Sequence, residues 1–116
     1  MQQLAQEILV TDSDLNEALL KAIDDAVRSI LGEEVLQALL VHLLTFQRLA
    51  RDEIPHRLNI FFPALENAFG PVSGKTLGRF IVKLLYARLG LEFRPRSDLT
   101  LLGYVEQVRA ELGVGN

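Results

Sequence analysis

The fold is decided by residues 33–51, EEVLQALLVHLLTFQRLAR. Within them Val35, Leu36, Leu39, Leu40, Leu43, Leu44, Phe46 and Leu49 recur at the three- and four-residue spacing of a helix and cover more than half of its circumference. A helix that is apolar on so many sides is ordinarily packed by several others, so this segment is expected to be the central and most buried one. Glu33 and Glu34 occupy its first turn, where the positive end of the helix dipole favours carboxylates. The apolar stretch from Val35 to Phe46 is interrupted by Gln37, His42 and Thr45. At about a dozen residues it falls short of the ~20 that span a bilayer, which makes it a core helix and leaves no membrane partner to expect.

Toward the N-terminus, Gly32 ends a preceding helix, since glycine takes the left-handed conformation without a Cβ penalty. In that helix Leu15, Leu19, Ala22, Ile23, Ala26, Val27, Ile30 and Leu31 form one face, with Asp24, Asp25 and Arg28 opposite. Thr11, Asp12 and Ser13 supply an N-cap, worth about 1 kcal/mol. Residues 1–10 carry Leu4, Ala5, Ile8 and Leu9, a short helical stripe with no start signal. The expectation is therefore an N-terminal segment, 1–11, with a short helix that is either frayed or partner-dependent, followed by a single helical domain, 12–116.

Toward the C-terminus, the apolar helix is expected to run to about Arg51 and the pattern to break at Pro55, which a helix interior does not tolerate. Asn59 is expected to cap a third helix with Pro63 in its first turn and Phe61, Phe62, Leu65, Ala68 and Phe69 on its apolar face. Gly70-Pro71 stops it. Ser73 is expected to cap a fourth, carrying Leu77, Phe80, Ile81, Leu84, Leu85 and Leu89 inward and ending at Gly90. Leu91 and Phe93 alternate with Glu92 and Arg94 in an extended connector, and a last helix runs from about Asp98 to Leu112, with Ser97, Asp98 and Thr100 as alternative caps. No strand is long enough to build a sheet. The fold class is all-α, a compact bundle of five main helices joined by short Gly or Pro turns.

Composition narrows the chemistry. The chain has 116 residues, 49% of them hydrophobic and 23% charged, which suits one globular domain able to fold without disulfide or metal. With no cysteine, thiol catalysis, iron–sulfur ligation and cysteine zinc sites are excluded, and two histidines cannot make a histidine-rich metal centre. The net charge of -3 is too mild to imply nucleic acid. Residues 1–34 nevertheless carry eight acids and two bases, and residues 73–96 six bases and one acid. The simplest use of that asymmetry is an acidic first helix folded over a basic fourth one. No basic stretch leads into an apolar core at the N-terminus, so a cytoplasmic location is expected.

Gly70-Pro-Val-Ser-Gly74-Lys75-Thr76 looks like a phosphate-binding loop, but such a loop needs four residues between its glycines and a preceding strand. Here three residues intervene and a helix precedes, so no nucleotide partner is expected. The same segment reads alternatively as a DNA-binding helix-turn-helix. Its recognition helix would run from about Gly74 to Leu89 and carry Lys75, Arg79 and Lys83 at i, i+4 and i+8 on one side. Gly70-Pro71 makes that turn irregular, Gly74 and Gly78 weaken the helix, and no Asn or Gln is there to read adenine, so nucleic acid is disfavoured. His42 lies among leucines and reads as a buried or half-buried core residue, and His56 as part of a polar joint. Asp24-Asp25 and Glu33-Glu34 are adjacent pairs that diverge on a helix and form no dyad. The serines sit near helix ends, and Phe61, Phe62, Phe69 and Phe80 read as core. No catalytic residue, metal ligand or cofactor is expected.

With these elements in place a family pattern emerges across about residues 15–112. It consists of Leu31-Gly32-Glu33, Asp52-Glu53-Ile54-Pro55, Phe62-x-x-Leu65-x-x-x-Phe69-Gly70, Leu77-x-x-Phe80-Ile81-x-x-Leu84 and Leu89-Gly90-Leu91. It resembles the small helical output domains of archaeal sensory and regulatory proteins, the Nitrosopumilus output-domain type. The resemblance implies a non-enzymatic regulatory or protein-interaction domain, and the apolar stripe of residues 1–10 adds the expectation of a protein partner or homo-oligomer. Leu4, Ile8, Leu9, Lys75, Arg79 and Lys83 are the candidate interaction residues.

Overall fold

A computed structural model describes residues 11–113. The expected N-terminal helix and its Leu4, Ile8 and Leu9 lie outside the described residues. Five α-helices follow one another: α1 (Asp12–Leu31), α2 (Glu33–Gln47), α3 (Leu58–Phe69), α4 (Pro71–Arg88) and α5 (Leu101–Leu112), with a 3-10 turn at Arg51–His56. There is no strand among the described residues. The all-α bundle of five main helices is the observed architecture, and none of its helices is long and apolar enough to cross a membrane.

The start of α1 is a reciprocal cap. Thr11 Oγ1 accepts from the Asp14 N–H at 3.0 Å, and Asp14 Oδ2 accepts from the Thr11 N–H at 3.1 Å. This satisfies two backbone donors that helix geometry leaves unpaired. The helix buries Leu15, Leu19, Ala22, Ile23, Ala26 and Val27. It ends at Gly32, whose φ of +98° only glycine adopts without strain. Across that turn Arg28 Nε donates to Glu33 Oε1 at 2.5 Å, which holds the Glu33 carboxyl below its usual range.

The helix expected to be central is peripheral. α2 buries only Leu36, Leu39 and Leu43, lies against α1 and touches α3 lightly. The core is centred instead on α1 and α4, with α4 packed between α1 and α3 and also meeting α5. α4 contributes Leu77, Ile81, Val82, Leu85 and Tyr86 to that core, and α3 contributes Leu58, Phe61, Phe62, Ala64 and Leu65. Apolar coverage of a helix shows what it is able to bury; the number of neighbours decides what it does bury. α2 also stops at Gln47 rather than near Arg51. Arg48 adopts a left-handed φ of 53°, which turns Leu49 into the core.

Other boundaries differ for local reasons. α3 begins at Leu58, so Asn59 is inside the helix and caps nothing, and Pro63 falls in the second turn rather than the first. Gly70, at φ +94°, ends α3, and Pro71 opens α4 at once because its fixed φ suits the first helical position. Ser73 thus sits in the first turn of α4 and makes no cap. Thr100 is the cap of α5, accepting from the Gly103 N–H at 3.0 Å, so α5 starts at Leu101 and not at Asp98.

Candidate functional site

The acidic first helix meets the basic fourth at one ion pair among the described residues, Asp25 with Arg88. Asp24 and Asp12 find bases on other elements, whereas Glu17 pairs with Lys21 within α1 and Asp14 serves the Thr11 cap. Arg51 Nη2 in the 3-10 turn reaches Asp24 Oδ2 at 2.6 Å, and Arg109 of α5 pairs with Asp12. These pairs are partly exposed and each contributes about 0–1 kcal/mol. Lys75, Arg79 and Lys83 have no acidic partner within ion-pair distance among the described residues.

Those three bases do not act as one strip. Lys83 Nζ lies over the Phe93 ring, 5.6 Å from its centroid, which ties α4 to the connector before α5. Lys75 and Arg79 line a groove of about 500 Å³ between α3, α4 and the beginning of α5. Leu58, Phe62, Pro63, Leu101 and Leu102 supply its apolar surface, and Glu66 faces it alongside the two cations.

Two glycines shape that groove. An added Cβ on Gly74 would stand 2.5 Å from the Glu66 Cα, so glycine there lets the backbones of α3 and α4 approach. One turn on, a Cβ on Gly78 would overlap Leu101 Cδ1, so glycine there admits the first residue of α5. Gly74 and Gly78 are buried packing positions rather than weak points of a recognition helix.

The second open feature is the outer arc of α2. From Val35 to Gln47 the chain has no Asp, Glu, Lys or Arg. Val41 is 63% exposed, Leu44 58% and Phe46 69%, and Gln37, Ala38 and Thr45 are exposed between them. His42 is half-buried and leans on Phe46, with ring centroids 4.8 Å apart. The charge-free run is legible in the sequence; that it faces outward is not.

His56 is exposed, and Asn16 Nδ2 donates to its Nε2 at 3.4 Å. Asn16 Oδ1 in turn accepts from Arg109 Nη2 at 3.3 Å, so this polar joint ties the start of α1 to α5. Among the described residues no group of three or more His, Asp or Glu side chains is gathered as a metal would require. The described residues thus form a five-helix bundle with an apolar groove flanked by bases and an uncharged helix face turned outward. Comparison with protein-family models, with curated proteins and with solved structures finds no match to this chain.

Proposed function

We propose that this protein is a non-enzymatic regulatory or protein-interaction module that associates through the outer arc of α2, in the first instance with a second copy of itself. The observation that carries this reading is the exposure of Val41, Leu44 and Phe46 on a helix with no charged residue from Val35 to Gln47. Val41 and Leu44 share one face of the helix and Phe46 lies further round the same open arc; exposed apolar surface of this kind marks an interaction site, because covering it gains roughly 25 cal/mol per Å². An uncharged arc suits self-pairing: a two-fold interface sets like against like, and here no charge would be desolvated opposite its own copy. A cytoplasmic setting and kinship with helical output domains belong to the same proposal.

Sedimentation velocity across a concentration series tests it. The expected result is a mass that rises above 13.0 kDa with concentration and returns to 13.0 kDa in a Val41→Glu/Leu44→Glu variant of unchanged helical circular dichroism. A 13.0 kDa species at every concentration would remove self-association.

DNA binding is the second reading, kept because Lys75 and Arg79 stand one turn apart and exposed on α4. The divergence of Lys83 toward Phe93 and the presence of Glu66 beside the two bases weigh against it. A salt-sensitive mobility shift lost in Lys75→Ala or Arg79→Ala would favour DNA, since phosphate contacts release counterions.

A further inference from the structure

We infer that the groove between α3, α4 and the start of α5 is a binding site for a small amphiphile, an apolar chain ending in one anionic group such as a carboxylate. This inference is independent of the α2 reading. Its volume, about 500 Å³, lies within the roughly 300–1,000 Å³ typical of small-molecule sites. Its apolar surface is built from three parts of the fold: Leu58, Phe62 and Pro63 of α3, Leu99 of the connector, and Leu101 and Leu102 of α5. Such a surface accepts hydrocarbon without leaving a buried polar group unpaired.

Charge selects the head group. Lys75 and Arg79 both line the groove, and neither is within ion-pair distance of an acid among the described residues. Among the described residues Glu66 is the one carboxylate lining the same groove, so the local balance is one positive charge in excess. A single anionic group beside Lys75 and Arg79 neutralises that excess, whereas a cation meets two like charges there. Lys83 is engaged with Phe93 and takes no part.

Isothermal calorimetry on the full chain with dodecanoate, below its micellar concentration, tests the site, with dodecyltrimethylammonium as a cationic probe of equal chain length. One-to-one binding of dodecanoate is expected, weaker by about tenfold or more in Lys75→Glu and in Arg79→Glu, and stronger in Glu66→Gln. The cationic probe should bind more weakly and respond to the same variants in the opposite sense. All three positions bear polar side chains outside the core, and unchanged thermal unfolding would establish that the variants fold.

Absence of dodecanoate binding, or binding indifferent to the three charge variants, would overturn the inference. So would a tenfold gain in affinity in Leu4→Glu/Ile8→Glu, which would assign the groove to the chain's own first ten residues. Cosedimentation with phosphatidylglycerol vesicles that is lost in Arg79→Glu, without binding of free dodecanoate, would assign it to a lipid surface and overturn it equally.

Discussion

The Tyr104 hydroxyl holds both backbone groups of Arg96: it accepts from the Arg96 N–H at 2.6 Å and donates to the Arg96 carbonyl at 2.9 Å. Residues 89–100 contain no helix or strand; turn bonds satisfy the backbone at Leu89, Gly90, Leu91 and Leu99, and at Arg96 one side chain of α5 supplies a partner for each backbone group. Tyr86 of α4 extends the arrangement by donating to the Tyr104 carbonyl at 3.0 Å. The Phe93 ring lies against both tyrosines, with centroids 5.3 Å from Tyr86 and 5.0 Å from Tyr104. The connector that leads to the groove's Leu99–Leu102 wall is fixed by this aromatic cluster.

Tyr104→Phe keeps the ring and removes both hydrogen bonds to Arg96. A loss of about 1–3 kcal/mol is expected, because the Arg96 N–H is left without its partner in a partly shielded place, while the Arg96 carbonyl keeps the Leu99 N–H at 3.4 Å. Tyr86→Phe removes one bond and should cost about 1 kcal/mol. Urea unfolding gives the two values, and equal losses would contradict the double role of Tyr104. Hydrogen exchange at Arg96 should quicken in Tyr104→Phe alone.

Neighbouring leucines of α2 should behave in opposite ways. Leu43 is fully buried and Leu44 is 58% exposed. Leu43→Ala should cost about 2–5 kcal/mol through lost burial and a cavity, and so should Leu39→Ala. Leu44→Ala should fall within about 0.5 kcal/mol of the parent at monomeric concentrations. A large loss at Leu44 would restore the central position that the sequence pattern suggests for α2.

That contrast shows what the sequence carries and what it does not. Helix number and order were legible because glycine and proline punctuate the chain: Gly32, Pro55, Gly70-Pro71 and Gly90 mark every junction that precedes α5. A cap within Thr11–Ser13 was legible from its side-chain oxygens, and the reciprocal bonds with Asp14 assign it to Thr11. Which helix is central was not, since Leu39, Leu43 and Leu44 look alike in a periodic pattern, and only packing separates them. The groove was half legible: Lys75 and Arg79 stood out, but Leu101 and Leu102 join them through tertiary contact alone. Gly74 and Gly78 read as helix-weakening because propensity is local, while the backbone of α3 and the side chain of Leu101 that require them come from elsewhere in the chain.

Alkaline stability should depend on Tyr86. Desolvation by burial, then the negative charges of Glu111 and Tyr104, raise its pKa above the ordinary tyrosine value. The fold therefore keeps the proton that the unfolded chain gives up near pH ~10. The stability this contributes is fully present below that value and is lost as pH rises from there through the folded-state pKa. Unfolding free energy measured from about pH 8 to 12 should fall less steeply at its alkaline end in Tyr86→Phe than in the parent. Identical slopes would separate Tyr86 from the alkaline transition.

The two buried glycines of α4 should differ in how they tolerate a methyl group. In Gly74→Ala the new Cβ would stand 2.5 Å from the Glu66 Cα, 2.7 Å from its N and 2.8 Å from the Leu65 carbonyl carbon, all of them backbone atoms. Relief requires α3 and α4 to move apart, and overpacking of this kind costs about 1–3 kcal/mol or more. In Gly78→Ala the new Cβ would overlap Leu101 Cδ1, the end of a side chain able to change rotamer, and the next atom is Phe62 Cδ1 at an ordinary 3.5 Å. The gain of about 1 kcal/mol in helix propensity for alanine over glycine offsets part of that adjustment. Gly74→Ala should thus lower the urea midpoint clearly, and Gly78→Ala by a smaller amount or not at all. Because the Leu101 side chain borders the groove, Gly78→Ala should also alter dodecanoate affinity at nearly unchanged stability. A larger stability loss at Gly78 than at Gly74 would mean that α5, and not α3, sets the closest approach to α4.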